Sequence, residues 1–203
     1  MIDKLTYWDT VLFRAINNTR SSWADMLLAF CGSHFFVTVI VVLAGIYVMY
    51  KNNWKHFYIY ILAIGLCFLI ADRISVLCFK DTVCRLRPSH ALQDVFNIKF
   101  SHFHYIYGNK GGMYGFVSSH AANVFSIITA LSLIVLSKNK KHKQQDLIFM
   151  SLMVLWGLII CYSRIYCGYH YPLDVLCGSL LGIVLGFIVF VLYKLVLKKF
   201  YHE

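Results

Sequence analysis

Five long apolar blocks dominate this sequence and restrict what the chain can fold into. They run over approximately residues 26–50, 56–79, 119–137, 146–166 and 172–195. A helix of about 20 apolar residues crosses the roughly 30 Å hydrocarbon layer of a bilayer. A segment in that layer must satisfy its own backbone hydrogen bonds, and the blocks lack the alternation of a barrel strand. The sequence therefore predicts an all-α fold, a polytopic transmembrane helix bundle with about five spans.

The composition and the N-terminal segment fit the same class. Hydrophobic residues make up 60% of the 203-residue chain and charged residues only 14%, whereas soluble domains carry about 25% charged residues. Residues 1–22 place apolar side chains at helical spacing among charges, with no continuous apolar stretch of a cleavable signal peptide. We predict an amphipathic helix in the membrane interface there, with a solvated tail as the alternative. We expect a single membrane-embedded domain over residues 1–203.

The distribution of lysines predicts the orientation. With five spans, the 51–55 turn, the 138–145 loop and the C-terminus share one side of the membrane. Two acids, Asp146 and Glu203, oppose nine lysines on that side, a net charge of +7: Lys51, Lys55, Lys138, Lys140, Lys141, Lys143, Lys194, Lys198 and Lys199. Short loops rich in lysine and arginine remain cytoplasmic. We therefore expect a multi-pass protein of the cell inner (cytoplasmic) membrane, with its C-terminus in the cytoplasm.

Three polar clusters lie at span ends on the opposite side, facing the periplasm or the exterior. The first runs from Lys80 to Arg87-Pro88, the second is Val117-Ser118-Ser119-His120, and the third runs from Ser163-Arg164 through His170 to Asp174. The 42 residues between His120 and Ser163 suffice for two spans and a short turn. The second and third clusters thus return to the same leaflet. Ionisable groups are costly at a membrane boundary and indicate a functional site.

The cations and serines of these clusters suit a phosphoryl group. Lys80, Arg87 and Arg164 can neutralise its non-bridging oxygens, the arginines by two-point hydrogen bonding and the lysine as a point charge. Ser118 and Ser119 stand where the third span begins, and a helix start leaves N–H groups free for an anion. The cations and the hydroxyl of Ser118 would bind the phosphate in its transition state.

The histidines and the aspartate supply the reactive groups. Pro172 suits the first position of the fifth span, which places His170 just before the helix and Asp174 in its first turn. A carboxylate bonded to one ring nitrogen fixes the tautomer and leaves the other nitrogen free to attack phosphorus. His170 is therefore the candidate nucleophile. His120 is the candidate acid that protonates the leaving oxygen.

The three clusters together resemble the signature of the type 2 phosphatidic acid phosphatase family, which also includes glucose-6-phosphatase and vanadium haloperoxidases. The family pattern is Lys, six residues, Arg-Pro; then Pro-Ser-Gly-His; then Ser-Arg, five residues, His, three residues, Asp. The first and third elements match in full, with Pro88 and Ser163 in their supporting places. The middle element departs, because Val117 and Ser119 stand where the family has Pro and Gly.

The resemblance implies a lipid phosphatase that uses no metal or other cofactor and forms a phosphohistidine intermediate. Its partners would be a membrane lipid phosphate or diphosphate and the bilayer, with no nucleic acid. Undecaprenyl pyrophosphate is the preferred substrate, and phosphatidylglycerol phosphate, phosphatidic acid and the phosphates of lipid A are the alternatives. A vanadate-binding haloperoxidase and a non-catalytic anion-binding protein or transporter are the other classes considered.

Several further residues carry structural predictions. Asp72 and Arg73 in the second span are expected to form a supporting ion pair near Lys80. Every fourth residue of the last span from Gly178 to Gly186 is glycine, a stripe that permits close helix packing within or between chains.

The loops of the non-cytoplasmic side raise two alternatives. Cys84 and Cys167 could form a disulfide if that side is oxidising. His102 and His104 are disfavoured as metal ligands, since they lie two residues apart in a loop without nearby acids.

Overall fold

The fold is a helical bundle with one small β-hairpin. The computed structural model describes residues 2–51, 57–138 and 143–201. Its elements in chain order are α1 (Ile2–Asn17), α2 (Ser22–Cys31), α3 (His34–Lys51), α4 (Phe57–Ile74), α5 (Asp81–Val83), α6 (Pro88–Ala91), β1 (Ile98–Ser101), β2 (His104–Tyr107), α7 (Ser119–Lys138), α8 (Lys143–Tyr166) and α9 (Pro172–Tyr201). A wider π-helical turn, Ser75–Lys80, joins α4 to α5.

Among the described residues, five helices are long and apolar enough to cross a membrane, as predicted. They are α3, the stretch Phe57–Val83 that contains α4 and α5, and the three helices α7, α8 and α9. The first span begins at His34 and not at residue 26, because the chain breaks at Gly32-Ser33. The Gly32 N–H donates to the Leu28 carbonyl (3.0 Å) and ends α2. The Ser33 hydroxyl accepts from the Phe36 N–H (3.2 Å) and starts α3.

Helix α7 forms the centre of the bundle and packs most extensively on α9. Buried Val124, Leu131 and Ile134 extend along it within the main apolar cluster. The glycine stripe of α9 faces α7, since a Cβ added at Gly178 would lie 2.6 Å from the Ser118 carbonyl oxygen. The stripe therefore serves packing within the chain and holds the first turns of α7 and α9 together.

The loop between α6 and α7 contains a hairpin that the sequence analysis did not anticipate. Strands β1 and β2 pair antiparallel from Ile98↔Tyr107 to Ser101↔His104. The turn between them uses left-handed backbone at His102 (φ 51°) and Phe103 (φ 62°). Ile98 is fully buried and β1 packs on α2. The hairpin thereby covers the end of the bundle that carries the polar clusters.

Helix α1 is present and amphipathic, as the spacing predicted. It exposes Leu5, Trp8 and Leu12 and buries Asp9 and Phe13 against the bundle. The exposed apolar side suits a membrane surface. Its location in the interface stays a prediction.

The cysteine pair considered from the sequence does not form. Cys84 is an exposed free thiol and Cys167 a buried one. Cys167 packs instead with Ala29 and Ile98 beneath the hairpin.

Candidate active site

The helix ends bring most of the predicted residues to one place. Lys80 comes from the end of the π-helical turn, Arg87 from the residue before α6, and Arg164 from the last turn of α8. The first turn of α7 and the residues before α9 complete the wall with Ser119, His120 and His170. Clusters far apart in sequence therefore share one site.

This site lies at the junction of two cavities. The smaller, here called the polar cavity, has a volume of about 130 Å³ and includes Lys99 and Asn109 in its wall. The larger, here called the apolar groove, has a volume of about 540 Å³. Five residues line both: His34, Arg87, His120, Arg164 and Tyr169. A group bound among them would contact a polar space on one side and an apolar space on the other.

The apolar groove descends between three membrane-spanning helices. Its walls come from Val37 and Val41 on α3, Ile64 and Phe68 on α4, and Ile127 on α7. These side chains form an apolar lining from the cationic site toward the bilayer core. The arrangement suits a hydrocarbon chain attached to an anionic head.

Lys80 is fixed by a pair of serines. Its Nζ donates to the Ser119 Oγ at 2.7 Å, and that oxygen lies 2.6 Å from the Ser75 Oγ. Ser119 replaces the family's glycine, and its added hydroxyl holds the cation at the groove wall. The departure in the middle element thus supplies a contact of its own.

Arg87 and Arg164 supply the other two cations. The Nε of Arg87 donates to the Tyr114 carbonyl (3.1 Å), and burial together with the nearby Arg164 lowers the pKa of Arg87. Arg164 is only 8% exposed, and its guanidinium lies 5.1 Å from the Tyr169 ring centre. Gly32 leaves the space for Arg164, since an added Cβ would overlap its Nη2. Two neighbouring guanidinium charges repel each other, and an anion bound between them would offset that repulsion.

His170 and Asp174 face each other as predicted. The Nδ1 of His170 lies 3.6 Å from the Asp174 Oδ2, just beyond hydrogen-bond distance. Such contacts are often long without substrate and tighten when it binds. Burial lowers the pKa of His170 to about 4, although the nearby Asp174 opposes the shift. A neutral imidazole oriented by a carboxylate is suited to nucleophilic attack.

A third histidine stands beside His120. The His34 ring, at the start of α3, lies 5.1 Å from the His120 ring. His34 was not predicted as a site residue from the sequence, although a histidine at a span boundary was a usable signal.

Three predicted residues have different positions from those expected. Ser118 is fully buried and does not line either cavity; its Oγ accepts from the Ala121 N–H at 3.5 Å. Among the described residues, Asp72 and Arg73 form no ion pair within 4.0 Å, so that prediction is wrong. Adjacent residues on a helix point about 100° apart. Asp72 instead lines the apolar groove near Lys80.

The two supporting residues of the motif lie behind the site. Pro88 is buried and opens α6. Ser163 is fully buried, and its Oγ accepts from Arg164 Nη2 at 3.5 Å.

The groups that hold Asp174 were not predicted from the sequence. Arg85 Nη1 donates to the Asp174 Oδ1 at 2.7 Å, and Arg85 Nη2 donates to the Asp9 Oδ2 at 2.6 Å. Arg85 lies inside the first cluster, between Lys80 and Arg87, where no motif position marked it. Asp9 is distant in sequence and carried no signal.

Comparison with known proteins identifies the family of this chain. The model of the PAP2 superfamily matches residues 52–198. A lipid A 4'-phosphatase of Bacteroides thetaiotaomicron is 32% identical over 185 residues, 90% of this chain and 75% of that protein. The undecaprenyl-diphosphatase BcrC of Bacillus subtilis is 36% identical over 61 residues, 30% of this chain and 28% of that protein.

A solved structure shares the fold. The crystal structure of a transmembrane PAP2 type phosphatidylglycerolphosphate phosphatase from Bacillus subtilis superposes on this chain with a TM-score of 0.67. The match covers 97% of this chain and 88% of that chain at 18% identity. The match to residues 52–198 and the long alignment with the Bacteroides relative settle the family. The chain belongs to the PAP2 superfamily and is a multi-span membrane lipid phosphatase.

Proposed function

We propose that this protein hydrolyses a phosphate monoester on a glycolipid of the lipid A class, at the non-cytoplasmic face of the membrane. One observation carries the proposal: the cationic site lies between a polar cavity and an apolar groove. A phosphate at the junction would place its sugar in the polar cavity and the acyl chains in the groove. Lys99 and Asn109 offer hydrogen-bonding groups to sugar hydroxyls there.

The alignment lengths support the same substrate. The similarity to a lipid A 4'-phosphatase extends over 90% of this chain, and that to an undecaprenyl-diphosphatase over 30%. The side chains that line the two cavities come from the hairpin and from α3 as well as from the motifs. The longer alignment includes more of them.

In this proposal His170 is the nucleophile. Its Nδ1 faces Asp174, so its Nε2 attacks phosphorus while the bond from phosphorus to the lipid oxygen breaks. His120 donates its proton to that oxygen, and the lipid alcohol leaves. Water then attacks the phosphohistidine, the phosphorus–nitrogen bond breaks, and the water's proton returns to His120. Inorganic phosphate is released with both histidines restored.

The cations act on the transferring group throughout. Arg87 and Arg164 line both cavities and Lys80 lines the apolar groove, and their charges match the negative charge of the phosphoryl oxygens. Removing a preorganised donor of this kind typically costs about 100- to 1000-fold in kcat. We assign phosphate binding to these three side chains, with Ser119 positioning Lys80.

Undecaprenyl pyrophosphate, the substrate preferred from the sequence, is the second candidate. The local match to BcrC favours it, and the apolar groove would also accept an isoprenyl chain. A diphosphate would place its second phosphate in the polar cavity beside Lys99.

The test is phosphate release by purified protein in detergent with a chelator present. The panel contains lipid A phosphates, undecaprenyl pyrophosphate, phosphatidylglycerol phosphate and phosphatidic acid. We expect fastest turnover on lipid A phosphates and no release by His170→Ala. Faster turnover of undecaprenyl pyrophosphate would replace the proposed substrate with the second candidate.

Two further outcomes would reject the reaction itself. Lipid phosphate binding without turnover by folded protein would indicate an anion-binding protein or transporter. Vanadate-dependent halide oxidation would indicate a haloperoxidase. For a phosphatase we expect vanadate to inhibit phosphate release without halide oxidation.

A further inference from the structure

The carboxylate of Asp174 is held from two directions. Its Oδ1 accepts from Arg85 Nη1 at 2.7 Å, and its Oδ2 accepts from the Tyr171 N–H at 3.0 Å. The side chain has no solvent exposure. With both oxygens engaged, the carboxylate plane is fixed and Oδ2 is directed to the Nδ1 of His170, 3.6 Å away.

Arg85 is itself held by the N-terminal helix. Its Nη2 donates to the Asp9 Oδ2 at 2.6 Å, and its guanidinium lies 4.2 Å from the Tyr171 ring centre. The other oxygen of Asp9 accepts from the Leu173 N–H at 2.9 Å. The Asp9 side chain is 1% exposed and that of Arg85 22%. One guanidinium thus bridges two buried carboxylates on α1 and α9.

Arg85 differs from the cations of the phosphate site. Among the described residues, those that line the polar cavity and the apolar groove include Lys80, Arg87 and Arg164 but not Arg85. Its two terminal nitrogens, Nη1 and Nη2, donate to carboxylates. Arg85 therefore has no position from which to bind the substrate's phosphate.

We propose that Asp9 and Arg85 are positioning residues that hold Asp174 against His170, so that helix α1 is part of the catalytic framework. The inference rests on the roles of His170 and Asp174 in the proposed function. The bridge uses both terminal nitrogens of the planar arginine fork, whereas a lysine at position 85 would offer a single nitrogen that does not reproduce this geometry. Burial raises the pKa of Asp9, and the hydrogen bond from Arg85 opposes that shift.

Kinetics of four variants test the proposal. We expect Arg85→Gln and Arg85→Lys to lower kcat about 10- to 100-fold, as is usual when a group that orients a reactive side chain is lost. The Michaelis constant should stay within about twofold, because Arg85 does not contact the substrate. Asp9→Asn keeps one acceptor oxygen, enough for Arg85 or for the Leu173 N–H but not for both. It should lose less activity than Asp9→Leu, which keeps neither acceptor.

A buried ion pair at the other end of the bundle provides the matched control. Lys51 Nζ lies 3.1 Å from Asp146 Oδ1, with side chains 6% and 1% exposed. Asp146→Asn should lower stability without changing kcat per folded molecule. Equal loss of kcat in Arg85→Gln and Asp146→Asn would mean that Arg85 is only structural and would overturn the proposal.

The pKa of His170 gives a readout that needs no turnover. Histidine NMR in micelles can follow it, with the signal assigned by its absence in His170→Gln. Lys80, Arg87 and Asp174 are the charged groups acting on this ring, and His120 is the other titratable group beside it. In the wild type the Arg85 guanidinium offsets part of the negative charge of Asp174. Without that guanidinium the carboxylate stabilises protonated His170 more strongly, so the pKa of His170 should rise by about 1 in Arg85→Gln. An unchanged pKa in Arg85→Gln would refute the positioning role.

This measurement separates the two hypotheses. If the wild-type protein releases no phosphate from any lipid, the proposed function fails, and the shift in Arg85→Gln still decides whether Arg85 acts on the pair of His170 and Asp174. If the wild-type protein is active but Arg85→Lys retains full kcat, only the positioning role fails.

Discussion

A single methyl group at Gly32 is expected to inactivate the enzyme while leaving the fold intact. Gly32 has ordinary backbone angles (φ −83°, ψ 2°), so alanine introduces no backbone strain. Its Cβ would overlap the Arg164 Nη2 and the Ser163 Oγ and lie 2.7 Å from the Arg164 Cζ, whereas ordinary contacts are 3.4–4 Å. The guanidinium must therefore move by about 1 Å, a displacement that can cost about 100-fold in rate.

Steady-state kinetics and thermal unfolding together test this prediction. We expect Gly32→Ala to lower kcat/KM by about 100-fold with a small change in Tm, because the overlapped atoms are side-chain ends of Arg164 and Ser163 and none is backbone. Gly157→Ala is the matched control: its Cβ would lie 2.7 Å from the tip of Ile128, which lines neither cavity. Wild-type kinetics in Gly32→Ala would refute the assignment of Arg164 to the phosphate site. A large fall in Tm would refute the steric argument.

Three further predictions concern Lys80, His170 and the buried pair on the opposite side. Ser119→Ala removes the hydroxyl that accepts from Lys80 and should lower kcat/KM about tenfold, since a hydrogen bond to a charged group contributes about 1.5–3 kcal/mol; unchanged kinetics would contradict it. Burial lowers the pKa of His170 to about 4, so kcat/KM should persist below pH 6 and fall only as the pH approaches about 4 and the nucleophile becomes protonated. A pH profile of kcat/KM that already falls near pH 6.5 would indicate an exposed imidazole. Asp146→Asn should lower the free energy of unfolding by about 3 kcal/mol, since it leaves the Lys51 ammonium without its buried partner, and denaturation in detergent would show it.

The sequence predicted the bundle because membrane spans are local features. Each apolar block is long enough to be recognised without its neighbours, and Pro172 and Ser119 marked two helix starts that the structure confirms. The start of the first span was wrong because apolar composition continues from Met26 through the break at Gly32. Hydropathy does not register a change of helix direction.

The site was predictable where a residue's role depends on a motif and not where it depends on tertiary contact. Lys80, Arg87, Arg164 and His170 stand at fixed spacings, and the structure brings them together. Arg85 stands among them without any distinguishing spacing. Its role follows from a contact 76 residues away in sequence, which no local pattern contains.

The middle element illustrates why a departure from a pattern need not weaken a site. A glycine before the histidine would leave the Lys80 ammonium without the acceptor that Ser119 supplies at 2.7 Å, and Ser75 without its 2.6 Å partner. A flexible lysine loses considerable side-chain entropy when it binds phosphate. Because the Ser119 hydroxyl already orders Lys80 in the folded protein, part of that entropy is lost during folding and not on phosphate binding. Serine at position 119 therefore gives up close backbone approach to the phosphate and gains a preorganised Lys80. Gly32, which leaves the space for Arg164, and Arg85, which holds Asp174, preorganise the site in the same sense.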